Sequence, residues 1–190
     1  MIKRFDNPVL IEQIRKARRV LIATHINPDG DAGGSALALC HGLTAMGKEV
    51  TLSCADPVPG KLSFLPGADQ FVQSEALQGK TFDLSFAVDA ADAGRIGNMG
   101  EVFFQSPVTV QVDHHPTNPG YAMVNEVDGD AAAAGCVVYR LLTAMGCEIT
   151  AEIAQCLYAG ISTDTGIFPL KIRTGKPSPS WRNWCAPGCR

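Results

Sequence analysis

Six residues able to ligate a metal ion fall in four short clusters. They are His25, Asp29 and Asp31 in T-H-I-N-P-D-G-D, Asp89 in A-V-D-A-A-D, His114 in V-D-H-H, and Asp164 in G-I-S-T-D-T-G. Carboxylates mixed with imidazole suit divalent ions such as Mn²⁺ or Mg²⁺, and a pair of such ions is a general device for hydrolysing phosphate esters. Three neighbours extend the set of candidates. Asp113 can orient an imidazole, His115 can face substrate, and Arg95 can fork a phosphate or pair with Asp92.

The spacing of His25, Asp29 and Asp31 lets a tight loop present several side chains to one point. Pro28 fixes the approach, and Gly30 permits backbone angles other residues resist. Gly33 and Gly34 are expected to leave the following helix start slender, so that a phosphate or a bound water can come close. The same residues also read as an ordinary turn with a helix-capping aspartate. Asp89 follows the apolar run Leu84 to Val88, where a carboxylate is poorly placed unless something pairs with it. Neighbouring side chains on an extended segment point opposite ways, so His114 and His115 are expected to do different jobs. His41, on a partly apolar helix face, reads as a packed histidine.

The elements that must position these residues alternate in type. Apolar runs at Val20–Thr24, Glu49–Ser53, Leu84–Val88 and Val108–Val112 predict strands. Helical spacing predicts helices over Pro8–Arg18, Asp31–Met46, Ala131–Met145 and Ala151–Gly160, the last delivering the chain to a Ser-Thr-Asp-Thr-Gly turn. The proline- and glycine-rich stretch Asp56–Gly67 reads as loop. Such alternation predicts an α/β fold with a doubly wound, mostly parallel sheet. Ligands of these sheets bind beyond the carboxyl ends of the strands, and all four clusters are expected there.

At 190 residues, 46% hydrophobic and 18% charged, the chain is long enough for one full α/β domain. A net charge of −3 without a basic run argues against an electrostatic grip on duplex DNA. Seven cysteines with no C-x-x-C spacing predict free thiols, buried at Cys40, Cys136 and Cys156, and a cytoplasmic protein. The first residues lack the apolar core of a signal peptide, and no stretch approaches a membrane span.

Taken in order, H-x-x-x-D-x-D, a strand-end aspartate, D-H-H and S-T-D-T-G resemble the DHH phosphoesterase family over roughly Val20 to Phe168. V-D-A-A-D-A-G-R-I-G is most similar to the branch of small-oligoribonucleotide hydrolases and phosphatases of 3′-phosphoadenosine 5′-phosphate (pAp). The resemblance implies two divalent ions, Mn²⁺ first, with Mg²⁺ or Co²⁺ allowed. It implies that His25 and Asp29 hold one ion, that Asp31, His114 and Asp164 hold the other, and that Asp89 bridges them. His115 would contact the scissile phosphate, with Asp113 supporting the histidines. Implied partners are short single-stranded RNA or a small phosphorylated nucleotide, with a homodimer possible. Two alternatives stand beside this: an inactive metal-binding remnant, and a pyrophosphatase-like hydrolase on the same core.

The resemblance also implies a second, DHHA1-like domain that clasps the nucleotide. Nothing of that kind follows here, so residues 1–168 are expected to form the DHH domain. Residues 169–190 carry both tryptophans, four prolines and five lysines or arginines without an acid, and lack periodicity. A shifted reading frame is the expected origin of that tail. Joining each codon's third base to the next two forces Leu from Asn183-Trp184 and Val from Trp184-Cys185, and allows only Ala or Glu from Trp181-Arg182. The tail is otherwise expected to be disordered, with a nucleic-acid-contacting arm as the alternative.

Overall fold

The run Leu84–Val88 (β3) is buried at every position, as parallel strands covered on both faces require. Around it the computed structural model, which describes residues 5–166, builds one five-stranded sheet. The strands are Arg19–Thr24 (β1), Glu49–Ser53 (β2), β3, Thr109–Asp113 (β4) and Val124–Val127 (β5). Their order is β2-β1-β3-β4-β5 and every pairing is parallel. The fold is therefore α/β with a doubly wound parallel sheet, as the alternation of elements predicts. The order reverses between β1 and β3, and there such a sheet opens a crevice for ligands.

Helices Pro8–Lys16 (α1), Gly30–Ala45 (α2), Ala134–Ala144 (α4) and Ala151–Asp164 (α5) cover one face. Val20 and Ile22 of β1, with Phe86, Val110 and Val112, turn toward them and meet Leu10, Ile14, Leu37, Val138, Leu141 and Leu157. The alternate residues Leu21, Ala23 and Ala87 face the other side, as the two-residue period of a strand demands. They pack on Leu77, Phe82, Ile96, Met99 and Phe103, the last from the short helix Gly100–Gln105 (α3). Each fully buried large side chain contributes about 1.5–3 kcal/mol, which makes the sheet a stiff platform.

Register sets the level of the site. Thr24 lies beside Val88 and Val88 beside Val112, and the Asp89 amide donates to the Val112 carbonyl at 2.9 Å. His25, Asp89 and Asp113 consequently emerge along one edge.

Several expectations need correction. β5 and α3 were not predicted: V-N-E-V has only four residues and two polar ones at its centre, and it forms the outer strand. α5 runs on through Ser162 and Thr163 to Asp164, so Asp164 ends a helix and does not follow a strand. The hydroxyls of Ser162, Thr163 and Thr165 donate back to carbonyls three or four residues earlier, which lets polar residues continue a helix. Gly160 is no stop signal; a Cβ there would sit 3.0 Å from Asp31 Oδ1.

The glycines of α2 also have another task than the one expected. A side chain at Gly34 would run into the Cys156 carbonyl and lie 3.0 Å from the Gly160 nitrogen. One at Gly33 would meet Leu62 at 3.0 Å, and one at Gly30 would strike Thr163. Gly30 and Gly34 thus let α2 and α5 pack closely, while Gly33 makes room for Leu62. The left-handed backbone falls on Asn27 (φ 50°) and Asp89 (φ 58°), not on Gly30.

His41 is packed as expected, its Nε2 2.9 Å from the Pro66 carbonyl. Among the described residues Cys40 and Cys156 are buried free thiols, Cys136 is half-buried, and no helix is long and apolar enough to cross a membrane. The readings made for residues 169–190 lie outside the described residues.

Candidate metal centre

β1 delivers His25 buried, its Nδ1 2.6 Å from the Ile26 carbonyl. A carbonyl only accepts, so Nδ1 carries a proton and Nε2 is the nitrogen that faces the carboxylates. That Nε2 lies 3.8 Å from Asp29 Oδ1 and 3.7 Å from Asp89 Oδ2. Asp29 caps α2, accepting from the amides of Asp31 (3.0 Å) and Ala32 (3.1 Å). The His25 imidazole beside it, with those amides, holds its carboxyl down to about 2. The cap and the chemical candidate are thus one residue, and the two readings of this turn do not compete.

Asp31 begins α2 but caps a different helix. α4 starts at Ala133 with no side-chain cap of its own. Asp31 Oδ2 accepts from Ala134 N at 2.6 Å, and Oδ1 from Gly135 N at 3.0 Å and Ser35 Oγ at 2.8 Å. Burial raises its pKa against the pull of these bonds. No local pattern announces this cap, because its partners stand about a hundred residues away in sequence.

Asp89 is the least satisfied group. It is 3% exposed, and its Oδ1 has no hydrogen-bond partner among the described residues. Burial first, then repulsion from Asp31, Asp29, Asp113 and Asp164, pushes its carboxyl up to about 10. A left-handed aspartate with an orphaned buried oxygen is doubly unfavourable unless a cation fills the space it faces.

The distances fit such a cation. His114 Nε2 stands 3.7 Å from Asp31 Oδ2, 3.6 Å from Asp89 Oδ1 and 3.6 Å from Asp164 Oδ2. These are too long for hydrogen bonds. Two donors each about 2.1 Å from a common ion stand about 3–4 Å apart, which is what the measured separations give. Two clusters result: His25, Asp29 and Asp89, and Asp31, His114 and Asp164, with the donor atoms of each within 4.8 Å of one another. Asp89 belongs to the first through Oδ2 and touches the second through Oδ1.

A third grouping, Asp89 with His114 and His115, was not expected. β4 ends at Asp113, and beyond it the two rings lie side by side. Their centroids are 4.7 Å apart, and His115 Nδ1 comes within 3.7 Å of the same Asp89 oxygen. Asp113, fully buried, accepts from His115 Nδ1 at 2.8 Å. Arg95 is exposed beside the His25 loop, its carbonyl accepting from Ile26 N at 2.8 Å. No ion pair joins it to Asp92 among the described residues; Asp92 instead accepts from the amides of Gly94 (2.8 Å) and Arg95 (3.2 Å).

The carboxylate–imidazole cluster thus stands at the switch point of a parallel α/β sheet, where sheets of this class bind their ligands. The model of the DHH family, N-terminal domain, matches residues 19–161, and the chain belongs to that family. It is 38% identical over 163 residues to the bifunctional oligoribonuclease and PAP phosphatase NrnA of Thermus thermophilus, an alignment covering 84% of this chain and 48% of that one. It is 28% identical over 170 residues to the protein of the same name from Bacillus subtilis, covering 88% of this chain and 52% of the other. The chain thus spans about half the length of the curated relatives it matches. A crystal structure of an exopolyphosphatase-related protein from Bacteroides fragilis superposes with a TM-score of 0.78 at 26% identity, over 87% of this chain and 53% of that one.

Proposed function

We propose that this chain is a phosphoesterase domain that uses two divalent cations to hydrolyse short oligoribonucleotides and pAp. The observation that carries the reading is Asp89, whose two oxygens face two separate donor clusters while one of them lacks any partner. His25 and Asp29 would hold one ion, Asp31, His114 and Asp164 the other, with Asp89 between them. Such a pair polarises the phosphoryl group and lowers the pKa of an attacking water. Mn²⁺ is the proposed ion, and the nitrogen and oxygen donor set also accepts Mg²⁺ or Co²⁺.

The protein's own groups supply position. Asp113 accepts from His115 Nδ1, which orients the ring so that Nε2, when it carries a proton, donates to a phosphoryl oxygen. Arg95, exposed and unpaired with Asp92, offers a guanidinium fork to a second phosphate. Water attacks phosphorus, the bond to the leaving oxygen breaks, and that oxygen takes up a proton as the nucleoside 3′-hydroxyl departs. Names borne by the two relatives support nucleotide substrates. The Bacteroides fragilis structure supports a second reading, hydrolysis of phosphoanhydrides on the same donors.

The test is hydrolysis of a diribonucleotide, pAp and pyrophosphate with Mn²⁺, Mg²⁺ or EDTA. Cleavage of the nucleotides with metal alone supports the first reading. Cleavage of pyrophosphate alone transfers it to the second. Undiminished cleavage of any of these in EDTA refutes the dinuclear site.

A further inference from the structure

Behind the His115 ring, Asp113 leads to two further side chains, Asn118 and Gln111, that the reaction outlined above does not use. Asp113 Oδ1 accepts from His115 Nδ1 at 2.8 Å, and its Oδ2 accepts from Asn118 Nδ2 at 2.5 Å. Asn118 Oδ1 in turn accepts from Gln111 Nε2 at 2.6 Å and from Gly120 N at 2.9 Å. Gln111 is fully buried, and its Oε1 accepts from Tyr121 N at 3.4 Å. Asn118 Nδ2 also lies 3.3 Å from the carbonyl of Ala90, next to Asp89, so one amide spans the loops after β3 and β4.

The chemistry admits one orientation. An ionised carboxylate only accepts, so Asn118 must present its NH₂ to Asp113. Its oxygen then meets the two donors on its far side. A flipped amide would set oxygen against oxygen and NH₂ against two N–H donors. Both oxygens of Asp113 are committed, and among the described residues the side chains that donate to them are those of His115 and Asn118. We propose that Asn118, backed by Gln111, is a positioning residue that acts through Asp113 to fix the ring orientation and Nδ1–H tautomer of His115. Its effect on turnover rests on the phosphoesterase reading; its effect on the imidazole does not.

The experiment compares the wild-type chain with Asn118→Ala and the isosteric Asn118→Asp, which keeps volume but loses the donor. Imidazole ¹⁵N spectra, taken with Mg²⁺ present and absent, should show the His115 proton on Nδ1 in wild type and a tautomer mixture in both variants. Mg²⁺ affinity by calorimetry should change by less than about threefold, because no metal donor is touched. Turnover of the diribonucleotide should fall about 10–100-fold with KM within about twofold. In a His115→Ala background, Asn118→Ala should add less than about a twofold loss, since the residue it serves is gone.

An unchanged His115 spectrum in Asn118→Ala overturns the proposal, as does an equal loss with and without His115. If the wild-type chain cleaves no nucleotide, the phosphoesterase reading fails while the spectra still decide the role of Asn118.

Discussion

Replacing Asp89 by Asn should make the metal-free protein more stable while removing its response to metal. The carboxyl is 3% exposed, carries an orphaned oxygen, and is pushed from an ordinary 3.8 up to about 10 by burial and four neighbouring carboxylates. A carboxyl raised on folding contributes full stability below its unfolded pKa and loses it as pH rises toward the folded one. The window here is about pH 4 to about pH 10. Each pH unit inside it is worth about 1.4 kcal/mol. At pH 7 the ceiling is about 4 kcal/mol, and about 2–4 kcal/mol is expected, because the Asn amide must find partners of its own.

Urea denaturation in EDTA at pH 5, 6, 7 and 8 measures this directly. Asp89→Asn should exceed wild type by a gap that widens with pH. Saturating Mn²⁺ should then reverse the order. Wild type gains about 2.7 kcal/mol at a hundredfold excess over Kd, and the variant gains little. An Asp89→Asn protein less stable than wild type in EDTA at pH 7, or a gap that ignores pH, would refute this account of the site.

Four further outcomes test other parts of it. Asp31→Ala should destabilise the metal-free protein by about 2–4 kcal/mol, because Ala134 N, Gly135 N and Ser35 Oγ lose their acceptor; calorimetry that finds it neutral removes the cap across helices. Asp29→Asn should keep the α2 cap, since Asn serves as well there, yet weaken metal binding by titration; equal affinity would exclude Asp29 as a donor. Asp29, held near 2 in the folded protein, supplies stability above its unfolded pKa. That part should be lost as pH falls from about 4 to about 2 in acid denaturation of wild type, and should be missing from Asp29→Asn. Gly34→Ala should cost about 1–3 kcal/mol through its clash with α5, whereas Gly60→Ala, with open space around it, should stay within about 0.5 kcal/mol; equal midpoints in urea would refute the close helix contact.

How far the sequence reveals this arrangement depends on the range of the interactions involved. β1 and β3 are legible because strands buried on both faces read as apolar runs, while β2 and β4 show through their alternating Val and Leu residues. Val124–Val127 is not, since an outer strand can carry Asn125 and Glu126 at its centre. Each donor could be named from its cluster, and the structure brings all six together. His114 and His115 do part company, one facing Asp31 and Asp164 and the other held by Asp113, but both rings lie near Asp89, because β4 and its alternating pattern end at Asp113. Asp164 looked like a turn residue because Gly160 resembles a stop. Only the closeness of α2, invisible locally, explains a glycine inside α5. Asp31 as a cap for α4 and Asn118 as a partner of Asp113 depend on side-chain geometry that no spacing encodes.

The close α2–α5 contact also bears on when the proposed centre would come into existence. Its candidate donors are gathered from residue 25 to residue 164, so each group is closed by chain made at very different times during synthesis. His25, Asp29 and Asp89 can meet once β1 and β3 have paired, but the second group waits for α5 to dock against Gly30 and Gly34 of α2. Until then a growing chain holds crowded carboxylates with only half of their cation sites formed. Long-range closure of this kind is slow, and bound metal stabilises only the folded state. Metal supply should therefore influence how much chain reaches the native state as well as how fast the finished domain works.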